Sequence, residues 1–230
     1  FAEFEENTRV TVADIQAVID QVNEEHFVGL IKAVVQAAKA ADYGELGGAL
    51  DALKDAVGDD WDVNVTISDD PDLLEEYATA IKEQEPTTVE EIIAILVEAN
   101  TVDAINKATV AEALAEIIWD LKVAEFINLA DDFAREDVAG AVMAPEKPYK
   151  STAEFKAAVV EVVATYLELI EAVETAGNKV DLAEALTAAF EFINKGAVTS
   201  TMVDNVWEHM AGEDFKGFKS IKEIVIVAGI

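Results

Sequence analysis

The feature that most constrains this fold is a helix-start signal that recurs along the chain, each time ahead of apolar residues three and four apart. Thr88-Val89-Glu90-Glu91 and Thr109-Val110-Ala111-Glu112 have capping-box spacing, in which a hydroxyl and a carboxylate three residues later satisfy each other's backbone N–H. Thr11-Val12-Ala13-Asp14, Ser151-Thr152-Ala153-Glu154 and Ser220-Ile221-Lys222-Glu223 repeat that spacing. Behind these starts lie Ile15, Val18, Ile19 and Val22, or Leu114, Ile117, Ile118 and Leu121, on one face of a helix. Stripes of this kind must be buried helix against helix.

The periodicity predicts helices at about 11–22, 24–40, 45–57, 71–85, 88–99, 109–128, 131–144, 151–175, 181–195 and 199–210. Asn23 punctuates the first pair, and Pro145 and Pro148 precede the longest helix. One stretch departs from this period. Trp61, Val63, Val65 and Ile67 alternate with polar residues, which predicts a half-buried strand. A lone strand leaves its backbone groups unpaired. The β-branched run Ile224-Val225-Ile226-Val227 is its internal partner, and another molecule is the alternative. The expected fold is therefore mostly α, with irregular helical repeats or bundles and one small β element at about 61–67, paired with 224–228. Residues 1–85 form an N-terminal helical module and 86–230 the helical repeat modules. Trp61, Val63, Val65, Ile67, Ile224 and Ile226 are the expected interface residues, adding strands across subunits.

Charge narrows the partners. The chain carries 47 acidic against 16 basic residues, a formal net charge of -31, which disfavours nucleic acid and anionic lipid. Between Asp51 and Glu85, 12 acidic residues face 2 lysines. Calcium is the cofactor that suits such a surface, through Asp59, Asp60, Asp62, Asp69, Asp70 and Asp72. The stretch is not an EF-hand loop, because counting from Asp60 the sixth and twelfth places hold Val65 and Pro71. There is no cysteine, so no disulfide or thiolate chemistry. The two histidines, His26 and His209, belong to no motif, and neither a phosphate-binding glycine loop nor a nucleophile elbow occurs. The expectation is a protein that is not an enzyme. No apolar run is long enough for a membrane span, and no basic segment ahead of an apolar run announces a signal peptide near Phe1.

The helices also echo one another. Val12–Asn23 aligns without gaps on Val89–Asn100 at an offset of 77 residues. Tyr149–Phe155 aligns on Phe218–Ile224 at 69, and Ala111–Leu114 on Ala183–Leu186 at 72. Unequal offsets imply insertions between repeated units.

Ala104–Leu114, then Asn128–Phe133, Arg135–Ala139, Pro148–Phe155 and Glu171–Glu174, resemble in order a helical repeat of surface-layer and other cell-wall-associated proteins of Gram-positive bacteria. The resemblance covers about 88–190. It departs where Glu174 stands near the place of the usual Asn after the long helix, and the 61–67 segment lies outside the pattern. The resemblance implies a secreted, extracellular structural protein of the cell surface that self-associates into an array or filament, often with calcium. An adhesin-like module recognising a protein or a cell-wall glycan is the alternative.

Overall fold

The computed structural model describes residues 11–61, 65–143 and 148–230, and for residues 19, 20, 22–24 and 60 the backbone alone. Its helices are α1 (Val12–Ala40), α2 (Tyr43–Val57), α3 (Pro71–Gln84), α4 (Val89–Lys107), α5 (Ala111–Asp120), α6 (Ala124–Ile127), α7 (Asp132–Val142), α8 (Thr152–Glu174), α9 (Lys179–Phe192), α10 (Ser200–Met210) and α11 (Ile221–Ala228). A 3-10 turn occupies Gly58–Asp60. The chain divides into two compact units, Phe1–Asn100 and Thr101–Ile230, and the division falls inside α4.

The regular elements among the described residues are all helices, with no strand among them, which corrects the expected β element. Residues 224–228 lie in α11. Ser220 caps that helix by accepting from the Glu223 N–H at 3.2 Å, and Gly229 ends it in the left-handed region at φ 93°. Its buried residues Ile221, Ile224, Val225 and Ala228 are three and four apart. A helical stripe that fits a core outweighs the strand preference of β-branched residues, which is small by comparison. At the other end of the expected pair, Trp61 and Val65 are both buried, and the Trp61 indole N–H donates to the Val65 carbonyl at 3.1 Å. The Thr66 carbonyl accepts from Asn100 Nδ2 at 2.9 Å. These two carbonyls are satisfied by side chains and not by a ladder.

Other boundaries moved for local reasons. α1 runs unbroken through Asn23. The expected helix at 109–128 breaks after α5, where Lys122 takes a left-handed φ of 58° and α6 follows. α5 starts one residue later than the Thr109 signal, with Val110 at the cap and no side-chain capping bond. α9 starts earlier than Asp181, because Asn178 accepts from the N–H groups of Val180 and Asp181.

One helical plan is used three times. Asp42, Val110 and Asn178 are the N-caps of α2, α5 and α9, at intervals of 68 residues. Four and eight positions after each cap come Leu46 and Leu50, Leu114 and Ile118, Leu182 and Leu186, all buried. The second helices, α3, α7 and α10, start at Asp70, Asp131 and Thr199 and bury Tyr77, Val138 and Val206 at the seventh position. The third helices, α4, α8 and α11, follow Thr88, Ser151 and Ser220 and bury Ile92, Phe155 and Ile224 at the fourth position, then Leu96, Val159 and Ala228 at the eighth. The offset of 72 that aligns Leu114 with Leu186 is thus one turn too long; the caps pair Leu114 with Leu182.

Candidate functional site

Three polar ties, here called seams, link the ends of α1, α4 and α8 to the connections ahead of α4, α8 and α11. Each seam ties the end of a long helix to the connection ahead of the next third helix. At the end of α4, Asn106 donates from Nδ2 to the Tyr149 carbonyl and accepts at Oδ1 from the Tyr149 N–H, both at 2.9 Å. At the end of α8, 68 residues later, Glu174 Oε1 accepts from the Phe218 N–H at 2.5 Å. Gly217 permits that approach. Its φ is 98°, and a Cβ there would lie 2.8 Å from the Glu174 carboxylate. At the end of α1 the tie is an ion pair, Lys39 to Glu85, which lowers the Glu85 carboxyl below its usual range through hydrogen bond and charge.

A buried polar relay supports the second unit. The Tyr166 hydroxyl accepts from the Ile221 N–H at 2.9 Å and donates to Asp137 Oδ2 at 3.1 Å, so one phenol satisfies the first turn of α11 and a carboxylate of α7. Burial pushes the Tyr166 hydroxyl strongly upward, keeping it protonated. Burial also raises Asp137, against hydrogen bonds from Tyr166 and the Lys222 N–H. This arrangement holds a helix start in place.

Asp59 and Asp69 are exposed. Asp70 caps α3, its carboxylate accepting from the Asp72 N–H at 3.1 Å, and Asp72 sits in the first turn, where a negative charge meets the helix dipole favourably. The Asp60 side chain and all of Asp62 lie outside the described residues. Among the described residues no group of histidine and carboxylate side chains has the arrangement of a metal site.

The expected interface residues fall into different places. Trp61, Val65 and Ile224 are core residues, Ile67 is half-buried, and Ile226 is exposed on α11. Val63 lies outside the described residues. Ile224 and Ile226 lie in a helix, and Trp61, Val65 and Ile67 lie outside any regular element, so these described residues present no shared strand edge.

Two surface features had no sequence signal. Trp119, 41% exposed, borders a concavity of about 530 Å³ with Glu112, Glu116, Asp132, Arg135 and Glu136. The Arg135 guanidinium lies 5.0 Å from the Trp119 ring and donates to the Leu129 carbonyl at 3.0 Å. The second is an apolar groove of about 430 Å³ beside α8, with Leu129, Val160, Leu167 and Phe218 in its walls. His209 packs among Phe215 and Phe218 as an aromatic neighbour.

Among the described residues no helix is long and apolar enough to cross a membrane. No protein-family model, curated protein or solved structure matches the chain.

Proposed function

We propose that the chain is a structural, non-catalytic part of an extracellular cell-surface protein that self-associates into an array or filament. The observation that carries this reading is the threefold use of one helical plan, with the ends of α1, α4 and α8 tied to the connections ahead of α4, α8 and α11 by Lys39–Glu85, Asn106–Tyr149 and Glu174–Phe218. Repeats of one helical plan gain buried area with each neighbour they pack against, which is the economy of a scaffold. The net charge of -31 suits a cation-rich exterior, where calcium screens the exposed carboxylates around Asp59 and Asp69. Electron microscopy of the concentrated protein in millimolar calcium tests the reading. Ordered fibres or sheets are expected, and dispersed single particles at every concentration would reject it.

A binding module is the second reading, and Trp119 is the observation that favours it. A half-exposed indole beside several carboxylates offers both stacking and hydrogen-bond acceptors to a wall glycan or a protein. Retention on purified cell walls that is lost in Trp119→Ala would support this reading over self-assembly.

A further inference from the structure

We infer that the first half of α1 is the third helix of a further repeat, and that its Ile15–Val18 face is the seat of a helix pair of the α2/α3 kind. The inference goes beyond the proposed function and stands without it, because it needs only the register of the repeats.

The register supplies the argument. A third helix buries the residue four positions after its capping hydroxyl: Ile92 after Thr88, Phe155 after Ser151 and Ile224 after Ser220 are each 0% exposed. α1 begins in the same way. Thr11 caps it with a full capping box, accepting from the Asp14 N–H at 3.2 Å while Asp14 Oδ2 accepts from the Thr11 N–H at 2.7 Å. Yet Ile15, four positions on, is 52% exposed, and Val18 is 42% exposed where its counterpart Ile95 is 3% exposed.

The two halves of α1 behave differently. Ile31, Val34, Ala37 and Ala38 are buried in the core they share with α2 and α3. This is the role that the last turns of α8 play for the next pass, through Tyr166, Ile170 and Val173. The first half of α4 shows what belongs on the other face. Ile92, Ile95, Leu96 and Ala99 share one core with Leu46 and Leu50 of α2 and Leu73, Leu74 and Tyr77 of α3. Val12–Asn23 aligns on Val89–Asn100 without a gap, so the same kind of pair fits α1. A folded second copy does not offer such a pair, because its α2/α3, α5/α7 and α9/α10 pairs already carry α4, α8 and α11.

The test supplies the pair. A second copy of residues 42–87 is joined ahead of Thr11 of the chain, reproducing the order in which α2 and α3 precede the Thr88 cap. Hydrogen exchange is followed in residues 12–18. Exchange at least tenfold slower than in the unextended chain is expected. It should return to the unextended rate when Ile15→Asp and Val18→Asp are added to the extended chain, with exchange in α8 unchanged as a check that the fold persists. Unchanged exchange in the extended chain would overturn the inference. So would an unextended chain that sediments as a dimer and becomes monomeric on the same two substitutions, since a second copy would then own the face.

Discussion

Asn106 holds Tyr149 by both of its backbone polar groups, across 43 residues of sequence and between the end of α4 and the start of α8. An amide donates and accepts within a single planar head, so it can pair with a peptide unit as another backbone would. Glu174 occupies the same place one pass later with an acceptor only, and it takes only the Phe218 N–H. The difference between the two seams is thus a difference in chemistry at one position.

Asn106→Ala is expected to lower stability by about 1–2 kcal/mol, since two backbone groups lose partners near the surface. Asn106→Glu keeps the acceptor for the Tyr149 N–H and should recover part of that loss. Urea unfolding of the three proteins checks the order. Equal stability of Asn106→Ala and the parent would show that the seam contributes nothing.

Trp61 serves the core of the first unit. It is 4% exposed, and its indole N–H is bonded to the Val65 carbonyl. Trp61→Ala should cost about 3–5 kcal/mol through lost burial and the cavity left behind. The urea midpoint is the measurement. A midpoint that does not move, with association weakened instead, would restore Trp61 to an interface.

Tyr166→Phe removes the acceptor of the Ile221 N–H, a buried backbone group, and should cost about 1–3 kcal/mol. The same relay sets a pH dependence. Asp137 keeps its proton in the folded protein at a pH where the unfolded chain has released it. Its contribution is therefore full below the ordinary carboxylate value of 3.8 and falls as pH rises through the raised folded value. Asp14, Glu85 and Glu91 have the opposite sign. Their lowered values give a contribution present above 3.8 and 4.5 and lost as pH falls through the folded values. Relative to Asp137→Asn, the parent should gain stability as pH is lowered from 7 to 4. A relative loss over that range would contradict the sign assigned to Asp137.

Much of the helical plan was legible because caps and apolar spacing are local. Ser151 and Thr88 mark helix starts, and the structure puts them there. The 61–67 and 224–228 segments misled for a related reason. Trp61 and Val65 are two buried side chains outside any regular element, while β-branching at Ile224 and Val225 says nothing of the core that receives a helix. The seams left a faint trace, since Asn106 to Tyr149 and Glu174 to Phe218 span 43 and 44 residues. The Tyr166–Asp137 bond left none, because it joins α8 to α7 across 29 residues with no motif at either end.

Sedimentation velocity over a range of protein concentrations, with and without millimolar calcium, tests the structural account most directly. The account predicts growth from monomer to large species as concentration rises, promoted by calcium. A monomer at every concentration, indifferent to calcium, would contradict self-assembly and leave the Trp119 surface as the place to look.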